Sequence, residues 1–385
     1  MQDPFRGPPA YDSAMAPAAS VRERLAALTA KGSLWAEEGG KLRCLACGHR
    51  CLIGEGQEGA CRVRFVRGAE LRVPWGYVAS LAADPIEKKP FFHVRPGAVA
   101  LSFGMLGCDL RCPYCQNWEI SQTIRDPGAD PFAHTRPATP EGIVAAALAE
   151  GAAMVTSTYN EPLVTAEWAA AIFAAARRAG LMTSVVSNGN ATPEALDLLA
   201  PLLDAYKVDL KGMREEGYRR VGGRLQVVLD TIASLVDRSV WVEVVTLVVP
   251  GHNDSEEELR DAARFLASLS ADLPWHVTAF HPDYRMGDVG PTRAGSLMRA
   301  VEIGREEGLR YVYAGNLPGG VGRTETTFCP GCAVPLVERR GFRVLVCRLG
   351  EDGRCPGCGE AIPGLWSAAR SHRPARAGRG AVPAS

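Results

Sequence analysis

Short apolar runs, rich in β-branched and aromatic residues, recur through the middle of the chain. Most are continuous rather than alternating with polar residues, which is typical of strands buried on both faces of a parallel sheet. Seven such runs lie between position 98 and about position 315. They predict strands at Ala98–Phe103, Met154–Thr158, Thr183–Val186, Ala205–Asp209, Val240–Val249, His276–Phe280 and Tyr311–Ala314.

The segments between these strands begin with residues that favour helix N-termini. Predicted helices follow capping residues at three places: Ile143–Glu150 after Thr139, Ala195–Leu199 after Thr192, and Glu256–Leu269 after Ser255. Alternating strands and helices form βαβ units and a parallel sheet. Six or seven such units predict an α/β fold that is a complete or partial TIM-like (β/α) barrel.

The same patterns divide the chain into five parts. We expect a disordered lead-in with a short helix at 1–33, a cysteine-rich metal module at 34–75 and the α/β barrel at 76–318. A zinc-ribbon-like module is expected at 319–366, where the strand-like stretch Phe342–Cys347 lies between cysteine pairs. Residues 367–385, with four arginines and no acidic residue, predict a disordered basic tail.

Composition narrows the class of protein. With 46% hydrophobic and 22% charged residues among 385, the chain can bury a large interior, which excludes disorder of the whole. No apolar stretch approaches the ~20 residues of a membrane-spanning helix, and the amino terminus lacks the pattern of a secretory signal. The 43 basic and 43 acidic residues cancel, which argues against a general attraction to nucleic acid.

Twelve cysteines are the strongest chemical signal. They fall into three tight groups: 44, 47, 51 and 61; then 108, 112 and 115; then 329, 332, 347, 355 and 358. Clustered cysteines of this kind predict metal sites in a reducing compartment rather than a disulfide framework. We therefore expect a cytoplasmic metalloprotein.

The middle group follows the first predicted barrel strand, where barrel enzymes carry their chemistry. Cys108, Cys112 and Cys115 are one thiolate short of a closed zinc site or a fully ligated cubane. A [4Fe-4S] cluster held by three cysteines leaves one iron open to a ligand. The alternative is a zinc knuckle that borrows a fourth ligand, for instance His93 or His134.

The spacing of these cysteines, with Tyr114 before the last, resembles the signature of the radical S-adenosylmethionine (SAM) superfamily. The resemblance implies that the open iron binds the amino and carboxylate groups of SAM. It implies that an electron from the cluster splits SAM into methionine and a 5′-deoxyadenosyl radical, which abstracts a hydrogen atom. Tyr114 would pack near the adenine, and an electron donor such as flavodoxin or ferredoxin would be needed.

Further matches lie just after successive predicted strands. Asn160 and Glu161 resemble the family element that binds the SAM amino group, although Tyr159-Asn160 replaces two glycines. Ser187-Asn188 resembles the Thr-Asn of activating enzymes, and Asp209 with Lys211 matches the pair that contacts the methionine end of SAM. His276 and His281 flank the sixth strand, where either imidazole could reach the site or serve only the core or surface.

One departure removes an expected contact. Activating enzymes carry an arginine on the fifth strand, five residues before a Pro-Gly, and this chain has Val245 there. The sequence does not reveal a replacement.

Three longer segments resemble the radical SAM member of the AmmeMemoRadiSam system, a family similar to pyruvate formate-lyase activating enzymes. They are 84–90, 112–121 and 159–162, and the resemblance spans about residues 34–366. It implies accompanying Memo-like and AMMECR1-like proteins. Asp109, where asparagine is usual, and Met105, where threonine is usual, depart from the pattern without touching a cluster ligand.

The outer cysteine groups predict two further metal sites. Cys329, Cys332, Cys355 and Cys358 form two knuckles typical of a structural zinc ribbon, with Cys347 expected to be a buried apolar residue. The other group suits zinc, the commoner structural metal, or an auxiliary iron–sulfur cluster, and His49 could replace one sulfur. Its four sulfurs belong to Cys44, Cys47, Cys51 and Cys61.

Two classes of function remain from the sequence. The first is a radical SAM enzyme acting on an unidentified protein or small molecule, with activation of a glycyl radical enzyme as an alternative. The second is a zinc and iron–sulfur protein that binds or modifies nucleic acid through its ribbon and arginine tail. The zero net charge makes a nucleic-acid partner the less favoured prediction.

Overall fold

The computed structural model describes residues 21–126 and 128–367. The predicted disordered lead-in at 1–20 and nearly all of the predicted basic tail lie outside the described residues. Within those ranges, no helix combines the length and the apolar character that crossing a bilayer requires.

A central eight-stranded sheet organises the molecule. Its strand order is β16-β15-β14-β13-β12-β11-β9-β8, and every neighbouring pair is parallel except β8 with β9. Within the described part of the chain β8 and β16 are its two edges, so the sheet is an incomplete barrel. The strands are β8 (Ser80–Pro85), β9 (Val99–Gly104), β11 (Met154–Ser157), β12 (Met182–Ser187), β13 (Ala205–Asp209), β14 (Trp241–Val248), β15 (Trp275–Ala279) and β16 (Val312–Gly315).

This architecture confirms the predicted partial TIM-like fold. All seven predicted strands are present, with ends that differ by one residue at most of the boundaries. The eighth strand, β8, was not predicted, because Ser80-Leu81-Ala82-Ala83-Asp84-Pro85 lacks the β-branched residues that mark the others. It lies antiparallel at an edge, where such a sequence is tolerated.

Helices cover the sheet, and three of them begin at the predicted caps. The Oγ1 atoms of Thr139 and Thr192 accept hydrogen bonds from Gly142 N and Ala195 N, and Ser255 Oγ accepts one from Glu258 N. Such caps satisfy amide groups that a helix start leaves unpaired. The helices of the barrel are α2 (Trp118–Ser121), α3 (Pro140–Ala149), α4 (Ala166–Arg178), α5 (Pro193–Leu199), α6 (Glu215–Val221), α7 (Leu225–Asp237), α8 (Glu256–Leu269) and α9 (Ala294–Glu306).

The amino-terminal part consists of one short helix and short strands packed against the barrel. Arg64 from this part forms a buried ion pair with Glu167 of α4, with Nη1 and Oε2 2.7 Å apart. Glu167 also accepts hydrogen bonds from the backbone amides of Ser33 and Leu34, so one carboxylate secures the segment. The elements are α1 (Val21–Ala27), β1 (Thr29–Lys31), β2 (Trp35–Glu38), β3 (Lys41–Cys44), β4 (Leu52–Ile53), β5 (Phe65–Arg67), β6 (Glu70–Pro74) and β7 (Tyr77–Val78), with β10 (Arg136–Pro137) paired to β7.

A three-stranded antiparallel sheet closes the described chain. It contains β17 (Thr327–Phe328), β18 (Pro335–Arg340) and β19 (Arg343–Cys347), in that order. The expectation that Cys347 is buried was wrong: the residue is exposed, because β19 is an edge strand whose side chains mostly face solvent. The predicted domain boundaries remain predictions.

Candidate functional site

A cavity of about 380 Å³ opens at the carboxyl ends of the barrel strands. Ten of the eleven side chains predicted for this site line it, although they come from four separate strand ends. They are Cys108, Cys112, Tyr114, Cys115, Asn160, Glu161, Ser187, Asn188, Asp209 and Lys211. The parallel register produces this convergence, since each of these segments leaves its strand at the same edge of the sheet.

The loop after β9 carries the three cysteines on one wall of the cavity. Backbone and side-chain donors already face two of the sulfurs: Leu110 N donates to Cys108 Sγ at 3.4 Å, and Ser121 Oγ lies 3.2 Å from Cys115 Sγ. Arg125 donates to the carbonyl of Cys108 and so ties the loop to the segment after α2. The loop is therefore built to present sulfur atoms to the cavity.

Burial holds the thiols of this wall in their neutral form unless a metal binds them. Burial raises the pKa of Cys108 well above its usual value and that of Cys112 to about 11, while the ammonium group of Lys211 works against the rise at Cys112. Buried thiolates of this kind need a metal to hold them ionised. Three thiols beside an open cavity fit a cluster that is ligated at three corners and exposed at the fourth.

Asp109 links the cysteine loop to the end of β12. Its Oδ1 accepts a hydrogen bond of 2.7 Å from Asn188 Nδ2, and its Oδ2 accepts one of 2.8 Å from Asn190 Nδ2. The carboxylate is 1% exposed, so both bonds form away from water. Sequence reasoning noted Asp109 only as a departure from a pattern, and missed that it holds the loop in place.

Glu161 is the buried acid of the cavity. Its Oε1 accepts from Ser187 Oγ at 2.7 Å and Leu163 N at 3.0 Å, and its Oε2 accepts from Asn188 N at 2.8 Å. Burial, with the nearby charge of Asp109, raises the pKa of Glu161 well above its usual value. A cationic ligand group would relieve this cost, so the carboxylate suits an ammonium group.

The residue before Asn160 has an unusual backbone conformation. Tyr159 has φ of +73°, the left-handed region that a glycine enters without penalty. The resembled family has glycine at this position. A tyrosine here therefore needs other contacts that stabilise this backbone conformation. Its hydroxyl accepts a hydrogen bond of 3.2 Å from Lys89 Nζ, and its ring borders the cavity.

A lysine pair surrounds Asp209 at the end of β13. Lys207 Nζ lies 3.2 Å from Asp209 Oδ1 and Lys211 Nζ lies 3.4 Å from Oδ2. Burial opposes the charged form, yet the two ammonium groups hold the pKa of Asp209 below its usual value. Val245 is the register partner of Asp209 on β14 and lines the cavity, so this wall lacks the arginine of the resembled enzymes.

Lys207 was missed by sequence reasoning, although a signal existed. It is a charged residue inside the buried strand Ala205–Asp209, and it lines the cavity. A buried lysine requires a partner or a function. Lys89, from the segment 84–90 that carries the family resemblance, also lines the cavity, although no role was predicted for it. Asn316 and Phe342 line the cavity too, but they come from segments without a recognisable pattern.

The structure places His276 elsewhere. Its Nε2 lies 2.7 Å from Glu243 Oε2 in a buried network, and the residue does not line the cavity. The reason is register: His276 lies near the start of β15, whereas the cavity is at the strand's other end. His281 does not line the cavity either, and its ring is on the surface.

The imidazoles considered as a fourth zinc ligand have other positions. His93 is buried, and its two ring nitrogens lie 2.6 Å from Pro363 O and from Tyr313 Oη. His134 lines a second, neighbouring cavity with Gln116 and Asn117 rather than the cysteine wall. The geometry therefore gives no support to a zinc knuckle at Cys108, Cys112 and Cys115.

The carboxy-terminal cysteines converge closely. Cys329 Sγ and Cys358 Sγ are 3.5 Å apart, and Cys332 Sγ and Cys355 Sγ are 3.6 Å apart. Among the described residues, these four are the group whose ligand atoms all lie within 4.8 Å of one another. A metal-binding cysteine cluster is thus present, away from the cavity.

Comparison with known proteins agrees with this geometry. Residues 104–266 match the family model described as the Radical SAM superfamily. An uncharacterized protein of Methanocaldococcus jannaschii is 39% identical over 326 residues, which cover 84% of this chain and 95% of that protein. The pyruvate formate-lyase 1-activating enzyme of Escherichia coli K12 is 24% identical over 241 residues, covering 57% of this chain and 93% of that enzyme.

Solved structures show a weaker likeness. A radical SAM methyltransferase from Sphaerobacter thermophilus aligns with a TM-score of 0.45 and 16% identity, over 59% of this chain and 70% of that one. A domain of a pyruvate-formate lyase-activating enzyme from Bacteroides vulgatus aligns with a TM-score of 0.37 and 18% identity, over 42% of this chain and 98% of that one.

Proposed function

Because the chain belongs to the radical SAM superfamily, we propose that Cys108, Cys112 and Cys115 hold a [4Fe-4S] cluster and that the adjoining cavity binds SAM. The single observation that carries the proposal is the convergence of ten predicted side chains on one cavity of about 380 Å³. When bound, the cluster would supply the electron that cleaves SAM to methionine and a 5′-deoxyadenosyl radical able to abstract hydrogen from a substrate.

The residues around the cavity divide the work of holding SAM. The Glu161 carboxylate, fixed by Ser187 and Asn188, would accept the ammonium group of the methionine moiety. Lys211, beside Asp209, would provide positive charge for the carboxylate of the methionine moiety. Lys207 would extend that positive charge along the wall where Val245 replaces the arginine of the activating enzymes. Tyr114, whose buried ring lines the cavity, would pack near the adenine.

Asn160 would position the Glu161 carboxylate rather than contact substrate. Its Oδ1 accepts a hydrogen bond of 2.9 Å from Met105 N, in the segment that leads to the cysteine loop. The loop with Glu161 and the loop with the cysteines are thereby held in one arrangement. Catalysis then gains from orientation set before SAM arrives.

The carboxy-terminal cysteine group is proposed to hold a structural Zn²⁺. The tetrahedral edge for zinc–sulfur bonds of about 2.3 Å is about 3.8 Å, close to the 3.5 and 3.6 Å separations between its sulfur pairs. Four thiolates saturate the ion and leave no open position. We assign this zinc to folding of the ribbon-like sheet rather than to catalysis.

The substrate is proposed to be a protein or small molecule linked to the AmmeMemoRadiSam system, with Memo-like and AMMECR1-like proteins as candidate partners. A cytoplasmic location and an electron donor such as flavodoxin or ferredoxin complete this proposal. Activation of a glycyl radical enzyme is the second candidate. It draws support from the similarity to the pyruvate formate-lyase 1-activating enzyme of Escherichia coli K12, but Val245 departs from the activating-enzyme pattern.

The nucleic-acid alternative depended on the ribbon and on arginines of the tail. Those arginines, at 370, 373, 376 and 379, lie beyond the described residues. The ribbon cysteines converge as a metal site requires, and a structural metal there fits either class of protein. The described part of the chain therefore adds no support to this alternative.

Anaerobic protein reconstituted with iron and sulfide tests the proposed function. With dithionite and SAM, it is expected to form 5′-deoxyadenosine and methionine. Cys112→Ala should abolish both products while the zinc content is unchanged, and Cys347→Ala, at the exposed cysteine outside the three sites, should leave both products and zinc unchanged. Iron-loaded wild-type protein that forms no 5′-deoxyadenosine would contradict the proposal.

A further inference from the structure

The amino-terminal cysteines form a second group of thiols beside the barrel. Cys44 is the last residue of β3, and its amide donates to Cys51 O at 2.9 Å, which folds the two segments together. Ala60 N donates to Cys51 Sγ at 3.4 Å, so the segment before Cys61 also closes on the group. Cys44, Cys47 and Cys61 are buried, and Cys51 is half-buried.

The spacing of these thiols differs from that of the carboxy-terminal group. Within the described ranges, no three of their sulfurs lie within 4.8 Å of one another, whereas all four sulfurs of the Cys329 group do. One zinc ion requires sulfurs about 3.8 Å apart. A polynuclear cluster binds its thiolates through different iron atoms, which keeps the sulfurs farther apart. Among the described residues, neither the amino-terminal group nor the cysteines at the barrel cavity have three sulfurs as close together as a single zinc ion requires.

A buried cation lies next to this group. The Arg64 guanidinium is 1% exposed, and it lies close enough to Cys44 and Cys61 for their charges to interact. Two of its nitrogens bond to Glu167, but its Nε is a buried donor with no partner in the described protein. Buried donors are rarely left unpaired, and an anionic sulfur of a bound cluster is an acceptor that would satisfy Nε.

The group adjoins the cysteine loop of the cavity through several bonds. One nitrogen of Arg125 donates both to Ala60 O, beside Cys61, and to Cys108 O. His49 Nε2 lies 3.1 Å from Asp109 O, so this imidazole faces the barrel loop rather than replacing a sulfur ligand. The two thiol groups are separated only by this short bridge of protein.

Close packing at Gly48 also holds the amino-terminal thiol group against the barrel. Gly48 N donates to Asn190 O at 2.8 Å, and a Cβ on Gly48 would lie 2.3 Å from Asn190 Oδ1. Asn190 is also the residue that donates to Asp109. The segment between Cys47 and Cys51 thus packs directly against Asn190, which holds the loop of the barrel cysteines through Asp109.

We propose that Cys44, Cys47, Cys51 and Cys61 hold an iron–sulfur cluster, not zinc, and that it passes single electrons to the cluster at Cys108, Cys112 and Cys115. The second half rests on the proposed function. One electron from a low-potential protein donor of the flavodoxin or ferredoxin class reduces the amino-terminal cluster. That cluster is reoxidised when the same electron reaches the barrel cluster, so no proton or atom is transferred.

Metal analysis of the full wild-type chain, purified without oxygen, tests the metal. Two cubanes and one zinc predict about eight iron atoms and one zinc per chain, or about six iron atoms if the amino-terminal cluster is [2Fe-2S]. About four iron atoms together with two zinc ions per chain would overturn the proposal, because the second zinc would then occupy the amino-terminal group. This count needs no variant and therefore does not depend on how any substitution folds.

Two variants locate the clusters separately. Cys47→Ser/Cys51→Ser should lose only the iron of the amino-terminal cluster. It should keep one zinc and the electron paramagnetic resonance signal that SAM perturbs. An iron content equal to that of the wild type would overturn the assignment. Cys112→Ala should lose that SAM-sensitive signal and keep the amino-terminal cluster. If Cys112→Ala retained all the iron of the wild type, the proposed function would fail while the amino-terminal cluster stood. Cys347→Ser is the matched control, since this exposed cysteine lies outside all three groups.

The electron path has its own readout. With a reduced flavodoxin as donor, the SAM-sensitive signal should appear much more slowly in Cys47→Ser/Cys51→Ser than in the wild type. With dithionite, a small reductant that reaches the cavity directly, the two proteins should behave alike. Equal rates with the protein donor would overturn the electron-transfer role.

Discussion

The carboxylate of Asp109 accepts a 2.7 Å hydrogen bond from the side-chain amide of Asn188, and this contact joins the cysteine loop to the end of β12. Asn188 in turn donates its backbone amide to Glu161 at 2.8 Å. The proposed cluster ligands and the proposed SAM ligands are therefore parts of one buried hydrogen-bond network. Buried networks of this kind are stable only when each member is satisfied.

Removal of the carboxylate in Asp109→Ala should destabilise both loops. The amides of Asn188 and Asn190 would lose their acceptor in a buried site, at a cost of about 1–3 kcal/mol for each unpaired group. We expect a lower free energy of unfolding in chemical denaturation, together with less iron retained at the cavity after desalting. The control is Asp288→Ala, at an exposed aspartate, and equal losses in both variants would contradict the role of Asp109.

Substitution of Glu161 by Gln should weaken SAM binding. The amide keeps the side-chain shape and the Oε1 acceptor that Ser187 and Leu163 share, but it removes the Oε2 acceptor of Asn188 N and the charge that would face an ammonium group. Loss of a charge-assisted bond of about 1.5–3 kcal/mol corresponds to roughly a 10- to 150-fold higher dissociation constant. Isothermal titration with SAM measures it, with Glu150→Gln at the exposed end of α3 as control. Unchanged affinity would remove Glu161 from the proposed site.

Replacement of Glu167 by Ala should loosen the amino-terminal segment. The change leaves Arg64 buried without its partner and frees the amides of Ser33 and Leu34. Breaking a buried ion pair on one side costs about 3–5 kcal/mol. Hydrogen exchange at residues 33–64 should become faster than in the wild type. If Glu167→Ala were as stable as Glu150→Gln, the carboxylate would not be the anchor that the contacts indicate.

The buried His93 predicts a loss of stability in mild acid. Burial lowers its pKa to about 4 from 6.5, so the unfolded chain binds a proton that the folded chain does not. Stability is therefore full above about pH 6.5 and falls as the pH decreases toward 4, by up to about 1.4 kcal/mol per pH unit for this group. Burial also lowers the pKa of His276, which acts in the same direction.

Urea unfolding at several pH values between 7 and 4 measures this dependence. His93→Gln retains hydrogen-bonding groups near Pro363 O and Tyr313 Oη but removes the titration. The variant should therefore show a shallower decline than the wild type. An identical slope in both proteins would show that His93 does not carry the effect.

Much of the fold was predictable because its strands are continuous apolar runs. Ala205–Asp209 matches the observed β13 residue for residue, and the side chains of Thr139, Thr192 and Ser255 accept backbone hydrogen bonds at the expected helix starts. The edge strand Ser80–Pro85 was not predicted because it is stabilised by pairing with β9 rather than by its own residues. Local sequence does not encode such a partner.

The convergence of the candidate side chains on one cavity was predictable where they follow a strand end. Glu161, Ser187 and Asp209 each come just after, or at the end of, a parallel strand, and parallel ends meet at one edge. His276 does not line the cavity because it lies near the amino end of β15, whereas the cavity is at the carboxyl ends of the parallel strands. Asp109 and Lys89 lie in segments with a recognisable pattern, but their partners Asn188 and Tyr159 are distant in the chain, so the sequence did not reveal the contacts.

The central claim is that three thiolates leave one iron open to SAM. Electron–nuclear double resonance of the reduced protein with SAM carrying ¹⁵N at its amino group tests it directly. The account predicts a nuclear coupling that shows the amino nitrogen bonded to the cluster, present in the wild type and absent in Cys112→Ala. If the reduced wild-type protein bound SAM but showed no such coupling, the claim would be contradicted.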